Sequence, residues 1–132
     1  DDKMGFSSSS RIIRSNDENA DGHADDEIYL TALNNLTHHD CIFVHFRSIA
    51  EIGHEFGAYS NERITQTKEL DKYIESLVMK WNGDILLFSD HGMHTEFGKG
   101  VHYRADEDDL VATYCWLNKI DLDNKSSRSS DR

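Results

Sequence analysis

The run Ile85-Leu86-Leu87-Phe88 is unbroken hydrocarbon and ends at once in Ser89-Asp90-His91-Gly92-Met93. Consecutive apolar side chains point to opposite sides of a strand, so a segment of this kind asks for cover on both faces. The reading is a buried strand over 84–90 that delivers a carboxylate and an imidazole at its carboxyl end. Strands covered on both faces belong to α/β architectures, in which ligands gather beyond the carboxyl ends of the strands.

The rest of the chain suits that class. The sequence holds no proline, so helices can run uninterrupted. A helix is predicted over 25–37. Asp25, Asp26 and Glu27 place negative charge in its first turn, and Ile28, Ala32, Leu33 and Leu36 form an apolar stripe. Residues 41–46, Cys-Ile-Phe-Val-His-Phe, read as a second buried strand. A long helix is predicted over 60–81, with Ser60 as N-cap, Asn82-Gly83 as the stop, and Ile64, Leu70, Ile74, Leu77, Val78 and Trp81 near one face. Residues 110–116 read as a third strand after a loop from 91 to about 109.

The domain reading follows. Residues 1–24 are an irregular N-terminal segment that opens on Asp1-Asp2-Lys3, which resembles the remnant of a cloning tag. Residues 25–118 form an α/β domain, and 119–132 form a disordered tail. Cys41 and Cys115 sit in apolar runs and read as buried free thiols rather than a disulfide. The net charge of −11 argues against non-specific nucleic-acid binding, which needs a basic footprint. The same acidity suits a chain that collects divalent cations and equally a merely soluble one.

Four residues stand out as candidate metal ligands, though Asp90-His91 reads equally as a solvated turn and His54 by itself as an exposed loop histidine. Asp90 and His91 offer one hard oxygen and one borderline nitrogen side by side, both ordinary zinc donors. Gly53-His54 falls in the loop after the first strand, and His102 falls in the loop after the second. His94 competes for a place in that loop. The acidic run Asp106-Glu107-Asp108-Asp109 reads as solvated, and Arg47 and Arg104 read as exposed.

Taken in order, these segments carry a resemblance. Residues 41–60 resemble a strand followed by Asp-x-x-Gly-His-x-x-Gly. Residues 62–77 resemble the helix after it, and Phe88-Ser89-Asp90-His91-Gly92-Met93 with the later His102 resembles a second metal motif. This is similar to the alkaline phosphatase superfamily, in its type I phosphodiesterase and nucleotide pyrophosphatase branch, over about residues 25–116. The resemblance implies a partial three-layer α/β sandwich with a mostly parallel sheet. It implies one or two zinc ions, or another divalent metal, with Asp90 and His91 serving one and His54 and His102 the other. It implies a metal-dependent hydrolase or phosphotransferase acting on phosphate esters.

Two departures limit the expectation. The Asp of the family pattern falls at Ala50, which ligates nothing, and the neighbouring Glu51 is offset by one residue. The family's nucleophile, a Thr, Ser or Cys, is expected upstream of the matched segment, so no catalytic nucleophile is assigned; Ser7 to Ser10 lack the strand-to-helix setting one needs. The expectation is a fragment or diverged member, inactive by itself, that forms a homo-oligomer or pairs with a complementing polypeptide. The alternatives are a non-catalytic metal-binding or assembly module on the same fold, and an unrelated α/β binding protein.

Overall fold

A computed structural model describes residues 13, 15–102 and 106–119. The tag-like Asp1-Asp2-Lys3, the serine run 7–10, Arg104 and nearly all of the 119–132 tail lie outside the described residues.

Among the described residues, four helices and four short strands follow one another as α1 (Asp25–Asn35), α2 (Ser48–Phe56), α3 (Asn61–Lys80), β1 (Ile85–Phe88), β2 (His94–Glu96), β3 (Lys99–Val101), α4 (Glu107–Leu110) and β4 (Tyr114–Leu117). The content is mixed α/β. None of the described helices is long and apolar enough to cross a membrane.

The long helix matches its sequence signals. Ser60 takes an extended backbone and its side chain accepts the Arg63 N–H at 3.2 Å, so the cap works although the Glu of a full capping box is missing. α1 packs on α3 through a stacked pair, Tyr29 and Tyr73, with ring centroids 4.8 Å apart. Tyr29 Oη also lies 2.9 Å from Ser76 Oγ. Leu70 is the buried residue of α3, whereas Ile64 is exposed and drops out of the expected stripe.

Before α1, the loop over 17–22 is tied by its own side chains. Asp17 accepts the N–H groups of Asp21 and Gly22, and Asn19 accepts Asp21 N–H. The first acid of α1 serves a different helix. Asp25 is buried and accepts Arg47 N–H at 2.9 Å, Ser48 N–H at 3.2 Å and the Ser48 hydroxyl, which also receives Gln66 Nε2–H at 2.9 Å. Asp25 thus satisfies the otherwise unpaired amides at the start of α2 from across the molecule.

Three expectations are corrected. First, the sheet is not mostly parallel, and no three-layer sandwich appears among the described residues. β1 pairs antiparallel with β4, Leu86 opposite Trp116 and Phe88 opposite Tyr114, and β2 and β3 form a separate antiparallel hairpin. The hairpin turns through Phe97 and Gly98, both at positive φ. Second, residues 41–46 form no strand. Half-buried Ile42, Val44 and Phe46 alternate with exposed Cys41, Phe43 and His45, a strand-like rhythm with no described strand to complete the ladder. Third, the apolar strands are exposed. Leu86, Phe88, Tyr114 and Trp116 share one face of the β1–β4 ribbon and stand 50%, 48%, 80% and 59% exposed, and Cys41 and Cys115 are exposed with them. A strand's apolar composition records a demand for cover, and a two-stranded ribbon supplies little.

The buried centre lies elsewhere, between α2 and the hairpin. Met93 is 5% exposed, and its sulfur packs where a Cβ at Gly53 or Gly100 would stand. A Cβ at Gly100 would also overlap the Gly53 carbonyl oxygen. Gly53 therefore sits inside helix α2, not in a loop, and lets β3 approach its backbone.

Candidate active site

That glycine contact fixes the position of the next residue. His54 follows Gly53 on α2, and its Nδ1 donates to the Gly100 carbonyl at 2.7 Å. With the proton on Nδ1, its Nε2 carries the free lone pair. His102 follows β3, and its Nε2 lies 3.1 Å from His54 Nε2. His91 reaches the same place from the end of β1. Its ring stacks on that of His102 with centroids 3.9 Å apart and planes 22° apart, and its Nδ1 donates to the Gly92 carbonyl at 2.6 Å. Three histidines from α2, the 90–92 turn and the segment after β3 thus meet, although 48 residues separate His54 from His102.

Asp90 is the outlying member. Its side chain is 70% exposed, its Oδ1 accepts the His91 N–H at 3.0 Å, and the same oxygen lies 3.6 Å from His91 Nε2. Ala50 and Glu51 lie on α2, and the Glu51 carboxylate is engaged by Arg47 at 2.9 Å.

His102 is harder to protonate than an ordinary histidine. Burial is the main cause, and the neighbouring His91 and His54 add to it. A neutral imidazole at His102 is a nitrogen donor. Two ligands of one tetrahedral zinc stand about 3.3 Å apart when each bond is about 2.0–2.1 Å. The His54–His102 nitrogen pair is near that spacing, and the carbonyl partners of His54 and His91 are the kind that orient metal-bound histidines. The donor chemistry therefore fits a divalent metal. The arrangement is not a closed coordination shell: among the described residues no group of three or more His, Cys, Asp or Glu side chains converges to hold an ion.

Sequence reading missed one acid. Asp109 is buried, not solvated, and its Oδ1 lies 2.7 Å from His94 Nδ1. This hydrogen bond holds the His94 imidazolium well favoured, with its pKa raised against the opposing effect of burial. His94 is thereby occupied away from the three-histidine cluster. A run of four acids gives no periodic hint that one of them turns inward.

The family model for type I phosphodiesterase / nucleotide pyrophosphatase matches residues 6–122. The chain belongs to that family. Membership supports a phosphate-ester hydrolase-like function for a phosphodiesterase-family chain whose histidines converge as described. No curated protein and no solved structure matches the chain.

Proposed function

We propose that this phosphodiesterase-family chain contributes a divalent-metal half-site to the hydrolysis or transfer of phosphate esters. The observation that carries the reading is the 3.1 Å approach of His54 Nε2 to His102 Nε2, with the opposite nitrogen of His54 anchored on the Gly100 carbonyl. In this reading His54 and His102 hold one metal, zinc by donor type, and Asp90 and His91 hold a second or a shared one. A bound metal would polarise a phosphoryl oxygen and lower the pKa of a bound water. The protein's own part is to disfavour protonation of His102, to anchor the His54 and His91 rings on backbone carbonyls and to hold His91 against His102. No residue is assigned as nucleophile.

The test is zinc titration by calorimetry on the full chain, beside bis-para-nitrophenyl phosphate turnover with zinc added. Saturable zinc binding that weakens in His54→Ala and His91→Ala is the expected result. Zinc binding that is absent, or unchanged by both substitutions, would overturn the metal reading. The second reading, a non-catalytic metal-binding or assembly module, is favoured by Ala50 at the family's acidic position and by the exposure of Asp90. Zinc binding without phosphodiester turnover would select it.

A further inference from the structure

We propose that Asp109 is a positioning residue for His91, acting through both its backbone and its side chain. The proposal rests on His91 being a working member of the site, but its mechanism can be tested without any metal.

The 91–94 segment is held from several sides, by the His102 ring, by the burial of Met93, by the β2–β3 ladder and by α4. Gly92 is the joint. Its N–H donates to the Asp109 carbonyl at 3.1 Å, and its own carbonyl receives the His91 Nδ1–H at 2.6 Å. Gly92 also lies so close to α4 that a Cβ there would overlap the Asp108 carbonyl oxygen. Beyond Met93, the Asp109 carboxylate grips His94 at 2.7 Å, with the two side chains 2% and 15% exposed. Asp109 therefore clamps positions 92 and 94, on either side of the buried Met93.

A buried carboxylate is costly unless compensated, and the short contact to His94 is part of that compensation. α4 is itself anchored, since Tyr59 Oη donates to Asp108 Oδ2 at 2.9 Å and Asp106 caps the helix at Asp108 N–H. The orientation of the His91 ring is thereby coupled, beside its stacking on His102, to a four-residue helix fifteen or more positions downstream.

The experiment reads imidazole nitrogen and backbone amide signals by NMR on the metal-free full chain at one fixed pH. In Asp109→Ala the His91 ring should leave its Nδ1-protonated pattern for an averaged one. Gly92 amide exchange should quicken roughly tenfold or more, while the His54 ring stays as in the parent. Asp109→Asn keeps an acceptor oxygen for His94 and should retain the parent His91 pattern. If Asp109→Ala does not fold, His94→Ala releases the same carboxylate grip and is read by the same criteria. An unchanged His91 ring in the folded variant, or equal changes at His91 and His54, would overturn the proposal. Zinc added to the parent separates the two readings: His54, His91 and His102 rings all indifferent to zinc would sink the metal half-site while leaving the clamp intact.

Discussion

Gly53 of α2 and Gly100 of β3 are in backbone contact, so near that a Cβ on Gly100 would overlap the Gly53 carbonyl oxygen. The His54–Gly100 hydrogen bond and the His54–His102 approach both depend on that contact. Gly100→Ala is expected to cost about 1–3 kcal/mol, the usual range for overpacking, because backbone cannot move aside as a side-chain end can. Urea denaturation measures it. A loss below about 0.5 kcal/mol, the scale of a surface substitution, would contradict the packing argument.

Asp25 bridges two helices that are remote in sequence. Asp25→Ala leaves Arg47 N–H, Ser48 N–H and the Ser48 hydroxyl short of an acceptor, and is expected to cost about 1–3 kcal/mol. Asp25→Asn, which keeps one acceptor oxygen, should cost less. Guanidinium unfolding of the two variants checks the order, and equal losses would argue that charge alone matters.

His94 gives the pH dependence. Its pKa is raised in the folded chain above the ordinary 6.5, chiefly by the hydrogen bond to Asp109. The folded state binds that proton more tightly than the unfolded one. The stabilisation is therefore complete below pH about 6.5 and is lost as pH rises through the higher folded value. Thermal unfolding of the parent and His94→Gln across this range should show a gap that closes as pH rises. A gap that widens would reverse the assignment.

The exposed face of the β1–β4 ribbon is expected to drive association. Leu86, Phe88, Tyr114 and Trp116 share that face, and Phe43 meets Phe88 with ring centroids 6.0 Å apart. Self-association or capture of a complementing polypeptide is the expected outcome. Light scattering at micromolar concentration should give more than one chain per particle, reduced in Trp116→Lys. A parent that stays monomeric would contradict self-association.

How much of this was legible depends on the range over which each signal acts. The bounds of α3 and the Ser60 cap follow from residues three or four apart, and the structure departs from them by about one position. The apolar run at 85–88 does become a strand, because local chain preference decides that much. His54, His91 and His102 were legible as candidates through the motif order, and the structure brings their rings together. α2 and the β2–β3 hairpin were not legible. The first hides in a glycine-containing stretch read as a loop, and the second in a polar segment with little alternation.

The sequence by itself determined the bounds of α3, the strand at 85–88 and the family to which the chain belongs, since each is written in residue types at short, fixed spacings. Only the tertiary structure decided that β1 pairs antiparallel with β4 and that apolar strands and both cysteines stand exposed. It also decided that Asp25 caps α2 and that Asp109 turns inward to His94. Burial and partnership are properties of what arrives from elsewhere in the chain, and a carboxylate in an acidic run looks the same in sequence whether water or an imidazole will receive it.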